Sequence, residues 1–164
     1  VMAAAGQVKR KLAKELPQGF SLPREFGPAG MAAPGIAVIQ GPKFETYAKA
    51  GSQFERLKKH LQELAAQGGI SLNGVPLMVI VDDAGFAARS FSNFLWTAFT
   101  RSNPSHDVYG MDEQTRFKHW GCAAPLMIDA RVKPFHAGVL EPDPDVAQQV
   151  EQMGVRGGPL HGII

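Results

Sequence analysis

An acidic pair, Asp82 and Asp83, directly follows an apolar run at residues 76–81. A continuous apolar run is typical of a strand covered on both faces, and open α/β sheets bind ligands beyond the carboxyl ends of such strands. Paired carboxylates at that place could hold a magnesium ion. They could also cap the next helix by accepting hydrogen bonds from its free N–H groups, and this interpretation is favoured. No glycine-rich phosphate-binding loop accompanies the pair.

A histidine and the single cysteine, His119 and Cys122, lie three residues apart. They could share a metal ion, but a stable zinc site needs three or four protein ligands, which His106, His136 or Asp107 could complete only through the fold. A nucleophilic Cys–His pair is no better supported, because two residues so close in sequence rarely orient each other without a third group. The sequence therefore assigns no metal ligand and favours Cys122 as a small buried residue beside the next strand.

Two large aromatic residues, Phe117 and Trp120, fall in a segment without a clear period, which predicts a loop of about ten residues or more. Large aromatic side chains on a loop either bury themselves as a local plug or line a site for a flat apolar ligand. The plug is favoured. The ligand-facing alternative stays open.

Strand and helix patterns alternate along the chain, with no internal repeat. Apolar runs predict strands at residues 36–40, 76–81 and 124–129, and a short strand is expected at 107–109. The Pro- and Gly-rich residues 20–35 are expected to hold little regular structure. This alternation predicts an α/β fold with a small mixed or parallel sheet and helices packed on its faces.

Three helices are predicted, at residues 7–16, 44–66 and 90–101. The first rests on a run of helix-forming residues, and the other two rest on apolar residues that recur on one side at helical spacing. A last helix is expected to open at Pro142, with Asp143 or Asp145 as its cap. One side of that helix carries three apolar residues, which are Val146, Val150 and Met153.

The composition bounds the class of protein. With 164 residues, 45% of them hydrophobic, 20% charged and a net charge of +2, the chain is long enough for one sizeable core. Basic residues are interleaved with carboxylates, which does not favour a nucleic-acid partner. One cysteine and the absence of an apolar run of about 18 residues predict a cytoplasmic protein without a disulfide or a membrane span.

Residues 79–110 resemble the C-terminal stretch of UbiD-type decarboxylases. That stretch joins an apolar strand and an acidic pair to a helix with a Leu-Trp core, then to Thr-Arg and to a Pro before an Asp. The matching residues are 79–83, Leu95, Trp96, Thr100, Arg101, Pro104 and Asp107. Residues 128–131 resemble the family's strand that ends in Asp-Ala, and 141–146 its acidic closing helix. With a weaker match at 35–41 and at a helix that includes Gln53, the resemblance covers about residues 35–153.

The resemblance implies a prenylated FMN, bound with a divalent metal (manganese or magnesium) and potassium in the family's central domain. The family's catalytic Glu–Arg–Glu set also belongs to that domain. No residue of this sequence matches those positions, so no catalytic, cofactor-binding or metal-binding residue is assigned here. The segment at 119–138 is closer to the branch of the family that acts on phenolic or simple aromatic acids.

In such enzymes the C-terminal domain moves against the active-site domain, forms a dimer interface through its last helix and can close a loop over substrate. By this resemblance Phe117 and Trp120 are the candidates to face substrate. The candidates for a homo-oligomer interface are Val146, Val150 and Met153. Residues 1–34 are then expected to be an irregular linker remnant of a preceding domain, and 35–164 the C-terminal α/β domain.

Three functions follow as hypotheses. The leading one is a lid and dimerisation domain of an aromatic-acid (de)carboxylase, inactive in isolation and partnered by the rest of that chain. The alternative is a separate, non-catalytic accessory subunit of a carboxylase complex. A receiver-like or nucleotide-binding module rests on Asp82 and Asp83 alone.

Overall fold

The computed structural model describes residues 6–8, 10–138 and 143–163. Its strands are β1 (Ala29–Ala33), β2 (Ile36–Gln40), β3 (Leu77–Val81), β4 (Val108–Arg116) and β5 (His119–Asp129). Its helices are α1 (Tyr47–Ala66), α2 (Ala84–Arg89), α3 (Phe91–Arg101) and α4 (Pro144–Gly154). The chain divides into two compact units between Pro134 and Phe135, and α4 belongs to the second unit.

The five strands form one mixed sheet in the order β1-β2-β3-β5-β4. The three central strands, β2, β3 and β5, run parallel, with Ile36 opposite Leu77 and Leu77 opposite Leu126. The edge strands β1 and β4 are antiparallel to their neighbours. The predicted α/β class with a mixed sheet is therefore confirmed.

The central strand β3 is covered on both faces, as its unbroken apolar run predicts. Met78 and Ile80 pack in the cluster that contains the apolar side of α1, while Val79 and Val81 pack in the cluster that contains α2 and α3. All four side chains are fully buried. Helices therefore lie on both faces of this sheet, which leaves its strand ends as the place where polar side chains meet.

The predicted helix at residues 44–66 is confirmed as α1. It begins after Thr46, whose hydroxyl accepts a hydrogen bond of 3.2 Å from the Lys49 N–H. Phe54, Leu57 and Leu61 are buried against the sheet, and burial of such side chains stabilises by about 1.5–3 kcal/mol each. This apolar side holds α1 against one face of the sheet.

The predicted helix at residues 90–101 is also confirmed, as α3, with the Ser90 hydroxyl capping it at the Asn93 N–H. Its apolar side is only partly covered. Phe94 and Ala98 are buried, whereas Phe91 and Phe99 are exposed. The strip of aromatic residues is thus wider than the side of the helix that the sheet and α2 cover.

The helix predicted at residues 7–16 is wrong for the part of that segment the structure describes. The segment runs without helix and is held by the rest of the fold: Ala13 N–H donates to the Gly74 carbonyl at 2.8 Å, and Gly35 N–H donates to the Ala13 carbonyl at 2.8 Å. These tertiary hydrogen bonds override a modest helix propensity.

The expectation of little regular structure at residues 20–35 is wrong at β1. This strand pairs with β2, with Ala29 opposite Ile39, and Gly27 N–H donates to the Gln40 carbonyl at 2.8 Å. Residues before 35 thus contribute to the same sheet, while the origin of residues 1–34 as a remnant of another domain stays a prediction. In the described part of the chain, no helix has the length and apolar character needed to cross a membrane.

Candidate functional site

The carboxyl ends of the parallel strands bring the predicted acidic pair to one edge of the sheet. Asp82 and Asp83 directly follow β3. The charged segment 129–133 begins at the last residue of β5, the strand that pairs with β3. This edge is where open α/β sheets bind ligands. The geometry of the charges decides whether the edge is open for chemistry.

The two carboxylates of the acidic pair have separate structural partners. Asp83 Oδ1 accepts a hydrogen bond of 2.8 Å from the Phe86 N–H and caps α2, so the capping interpretation is confirmed for this residue. Asp82 Oδ2 accepts from Arg101 Nη1 at 3.1 Å and from the Val132 N–H at 2.8 Å. Among the described residues, no group of three or more His, Cys, Asp and Glu could hold a metal ion.

Next to this pair lies a buried ion pair between Asp129 and Arg131. The Arg131 guanidinium donates from Nε to Asp129 Oδ1 at 2.8 Å and from Nη2 to Oδ2 at 2.6 Å. Its Nη1 donates to the Pro42 carbonyl and to Gln53 Oε1, each at 2.7 Å. The guanidinium therefore joins the end of β5 to α1 and to the segment after β2. Such bidentate, charge-assisted hydrogen bonds are among the strongest in proteins.

A second buried cation, Lys133, lies next to this pair, with its Nζ 3.9 Å from Asp129 Oδ1. Its ammonium contacts Asp107 Oδ2 at 3.2 Å and donates to the backbone carbonyls of Arg101, Asp129 and Arg131 at 2.9–3.1 Å. Asp107 also accepts from the Asn103 N–H at 2.6 Å through Oδ2, while its buried Oδ1 has no hydrogen-bond partner. Lys133 thus ties the end of α3 to the end of β5.

Taken together, four side chains form one buried network, which we call the charge cluster: Asp107, Asp129, Arg131 and Lys133. Each is at most 1% exposed, and two carboxylates balance two cations. The two cations direct their donors to carboxylates, backbone carbonyls and the Gln53 side chain. The charge cluster therefore organises the carboxyl edge of the sheet and leaves no free acid–base pair among its own members.

Aromatic rings border the charge cluster. The Phe44 ring lies 5.7 Å from the Arg131 guanidinium carbon and 5.5 Å from Lys133 Nζ. Tyr109 stacks on Phe54 with ring centroids 3.9 Å apart. Burial, followed by the negative charges of Asp129 and Asp107, raises the pKa of Tyr109 to about 12. The same causes, burial first, raise the pKa of Tyr47.

Sequence reasoning missed most of this arrangement. It placed Asp129 and Arg131 within a family resemblance and did not single out Lys133. One sequence signal pointed to the charge cluster: charged residues alternate at 129, 131 and 133, directly after an apolar strand. Charged side chains are rarely found where the chain is buried. Their partners on α1 and before β4 come from distant parts of the sequence and needed the fold.

The loop predicted around Phe117 and Trp120 is wrong. These residues lie in a β-hairpin of β4 and β5, whose turn holds Phe117 and Lys118 at φ values of 50° and 67°. Two positive φ values at a two-residue turn match the twist of hairpin strands. Before Leu126, β5 does not pair with β3, and β4 and β5 extend as a two-stranded ribbon over residues 111–123.

The ribbon places its two large aromatic residues differently. The Phe117 side chain at the tip is 94% exposed, so the plug interpretation is wrong for this residue. Trp120 is 45% exposed and lies opposite Thr115. The end of its indole ring lies near the Gly110 backbone, where a Cβ would be 3.5 Å from the ring.

His119 and Cys122 lie on the same strand of the ribbon. Residues three apart on a strand point to opposite faces, which separates the imidazole from the thiol. His119 is exposed, and Cys122 is half-buried rather than buried as predicted. Burial, and then the charge of Glu113, raises the pKa of Cys122, which keeps the thiol protonated and weakens it as a nucleophile.

The other histidines considered as metal ligands have aromatic neighbours. The His106 ring lies 5.2 Å from the Tyr47 ring, and the His136 ring lies 5.0 Å from the Phe135 ring within the second unit.

The last helix begins at Pro144, whereas Pro142, at which it was predicted to open, lies outside the described residues. Asp143 Oδ1 accepts hydrogen bonds from the N–H groups of Asp145 and Val146, which confirms Asp143 as its cap. Its apolar side is exposed: 55% at Val146, 41% at Val150 and 42% at Met153. A role of these residues in an oligomer interface stays a prediction.

Part of this chain is similar in sequence to known proteins. One of the subunits of a 4-hydroxybenzoate decarboxylase from Chlamydia pneumoniae is 30% identical over 81 residues, which are 49% of this chain and 14% of that protein. An uncharacterised protein from Chlamydia trachomatis serovar D is 28% identical over 123 residues, which are 75% of this chain and 20% of that protein. No family model matches the chain.

Among solved structures, the vanillic acid decarboxylase of Sedimentibacter hydroxybenzoicus is similar in its open form, with 17% identity and a TM-score of 0.42. Its closed form gives 19% identity and a TM-score of 0.44. Each comparison covers 78% of this chain and 28% of the solved chain. The chain thus spans a fifth or less of the curated relatives named above, and it shares sequence with part of a decarboxylase.

Proposed function

We propose that this chain is the C-terminal lid and oligomer-forming part of a UbiD-type decarboxylase that acts on aromatic acids. The observation that carries the proposal is the 30% identity over 81 residues to the 4-hydroxybenzoate decarboxylase protein of Chlamydia pneumoniae, of which those residues are 14%. A match to so small a share of a decarboxylase fits a supporting part better than a complete enzyme.

The charge cluster supports the same assignment. Its acids and cations bind one another and the backbone, and the described residues contain no group suited to a metal ion. The described residues therefore offer no ligand set for the divalent metal that accompanies prenylated FMN in the family. We assign that cofactor, which would supply the electron sink for loss of CO₂, to the rest of the parent enzyme.

The ribbon is our candidate for the lid. Residues 112–120 are exposed, and Phe117 at the tip presents an apolar ring to whatever the ribbon closes on. A lid of this kind excludes water from a carbanion-like intermediate, where stray protons and a high dielectric would cost rate. Phe117 and Trp120 would then contact the aromatic substrate.

On α4, the exposed side formed by Val146, Val150 and Met153 is our candidate for the contact between copies of the enzyme. Three apolar side chains on one side of an eleven-residue helix are typical of a helix that packs on a partner.

The first experiment tests whether this chain is catalytic alone. The purified chain is mixed with prenylated FMN, Mn²⁺ and K⁺, and CO₂ release from 4-hydroxybenzoate and vanillate is measured. We expect no release above the cofactor blank. Turnover by the chain alone would refute the assignment as a supporting part.

The second experiment tests the lid in the holoenzyme that contains this chain. Phe117→Ala is compared with Phe99→Ala, which removes a similarly exposed aromatic ring from α3. We expect kcat to fall in Phe117→Ala and to stay unchanged in Phe99→Ala, because only the former removes a lid contact. Equal kcat values in all three proteins would contradict the lid.

A separate accessory subunit is the second candidate, favoured because the Chlamydia pneumoniae relative is itself named as one subunit of its decarboxylase. Intact mass of the native polypeptide distinguishes the two. A mass that includes the remainder of a decarboxylase supports the C-terminal part, and a polypeptide of this size that co-purifies with a decarboxylase supports the accessory role.

A further inference from the structure

The base of the ribbon is bent. Gly110 pairs with Leu126, but the next residue, Met111, pairs with Ala123, and Gln114 pairs with Gly121. The register therefore shifts twice within five residues of β4. Shifts of this kind bend a strand and increase its twist, so the ribbon leaves the sheet at a new angle.

Glu113 lies at this bend and binds two elements at once. Its Oε1 accepts a hydrogen bond of 2.8 Å from the Gly110 N–H and lies 3.3 Å from Lys58 Nζ on α1. Lys58 is only 14% exposed and also pairs with Glu55 at 2.5 Å. The carboxylate thus connects the bent strand to the helix that packs on one face of the sheet.

Trp120 packs against the backbone at the same bend. Gly110 makes room for this contact: a Cβ there would collide with Cys122 and would lie 3.5 Å from the Trp120 ring. Glycine at position 110 therefore lets the indole and the thiol pack on bare backbone. Glu113 binds the N–H of the same glycine on which the indole packs, and it also contacts Lys58.

Apart from a hydrogen bond of 3.4 Å from Gln62 Nε2 on α1 to Asp112 Oδ1, little else fixes the ribbon within the described part of the chain. Residues 112–120 are exposed, so apolar burial contributes little to its position. A two-stranded hairpin without a covered face is marginally stable by itself in water. The hydrogen bonds and the ion pair at its base must then set its angle.

We propose that Glu113 is a positioning residue that clamps the base of the ribbon, where Trp120 packs, to α1. Without the clamp, the ribbon swings about the bend and the indole samples solvent. The clamp is a property of this chain by itself. Its consequence for turnover rests on the proposed lid function.

The two tryptophans of the chain are Trp96 and Trp120, so Trp96→Phe leaves Trp120 as the single indole reporter. In that background we compare Glu113, Glu113→Gln and Glu113→Ala by acrylamide quenching of fluorescence. A 45% exposed indole that becomes fully accessible gains about twofold in its quenching constant. We expect that rise for Glu113→Ala and a smaller rise for Glu113→Gln, which keeps an acceptor but loses the charge facing Lys58.

The matched control is Glu63→Gln, the same change at an exposed α1 glutamate that lies 4.0 Å from the Lys59 ammonium. It should leave quenching unchanged. Circular dichroism and the melting temperature verify that each variant is folded. If Glu113→Ala unfolds the chain, the clamp is tested with Glu113→Gln and with Lys58→Met instead. Lys58→Met removes the partner of Glu113 on α1. Unchanged quenching in the folded Glu113 variants would overturn the clamp.

Turnover of the holoenzyme separates the clamp from the lid. Raised quenching together with reduced kcat in Glu113→Gln supports both. Raised quenching with unchanged kcat keeps the clamp and refutes the lid role of the ribbon.

Discussion

Arg131 and Asp129 are two residues apart and bind each other through two hydrogen bonds, of 2.8 and 2.6 Å, while both side chains are at most 1% exposed. The chain bends back on itself at the end of β5 to make this contact. In doing so it points the guanidinium at Pro42 and Gln53, which belong to the segment after β2 and to α1. One side chain therefore joins three parts of the first unit.

We expect Arg131→Met to destabilise the chain by about 3–5 kcal/mol, because it leaves the Asp129 carboxylate buried without its guanidinium. Urea unfolding followed by circular dichroism measures the change. The control is Arg116→Met, an exposed arginine on the ribbon, which should change stability by less than about 0.5 kcal/mol. Equal effects of the two substitutions would show that Arg131 carries no special share of the stability.

Lys133 gives a second prediction through its contact of 3.2 Å with Asp107. Lys133→Met removes the ammonium and strands a buried carboxylate, so we expect a loss of about 3 kcal/mol or more. Adding Asp107→Asn removes the stranded charge and should restore part of the loss. A double-mutant cycle by urea unfolding measures this coupling. Purely additive effects would mean that the two residues do not interact.

The layers of this fold could be predicted from the sequence because their signals are local. The unbroken apolar residues of β3 and the spacing of Phe54, Leu57 and Leu61 on α1 each report which faces are covered. Asp83 as a cap followed from its position between a strand and a helix. These elements needed no knowledge of distant contacts.

The ribbon and the pairing of charges within the charge cluster could not be predicted, because they depend on contacts between distant parts of the chain. Residues 112–119 are mostly polar, and the turn residues Phe117 and Lys118 lack the Asn-Gly pattern that announces a hairpin. Nothing in the sequence around Lys133 indicates its partner, because Asp107 approaches it only in the folded chain. Local patterns indicate which faces are buried, but pairing between distant charges depends on the completed sheet.

Because the pKa of Tyr109 is raised, we expect the chain to lose stability in alkali. Its folded pKa, raised from 10.0 to about 12 by burial and by nearby carboxylates, means that the unfolded chain loses the phenolic proton first. Tyr109 therefore stabilises fully below pH 10.0, and its contribution is lost as pH rises towards about 12. Tyr109→Phe should flatten the fall in the free energy of unfolding over this window, leaving the smaller slope from Tyr47, whose pKa is also raised.

Urea unfolding at several alkaline pH values, together with the absorbance of tyrosinate, checks the prediction for Tyr109. Since the chain has two tyrosines, the Tyr109→Phe protein reports Tyr47 alone. A tyrosine that ionises near pH 10 in the folded wild-type chain and disappears in Tyr109→Phe would contradict it.

Because the pKa of Glu113 is lowered, we expect the chain to lose stability in acid. Burial raises the pKa of its carboxyl, but the Gly110 N–H and the Lys58 ammonium outweigh burial, so the folded pKa lies below 4.5. The unfolded chain then binds the proton first, and the contribution of Glu113 is present above pH 4.5 and lost as pH falls through the folded pKa. Melting temperatures measured through this range should fall less steeply for Glu113→Gln than for the wild-type chain. The control is Glu63→Gln, the same change at a glutamate on the exposed side of α1. If Glu113→Gln paralleled the wild type, the clamp would contribute nothing to acid stability.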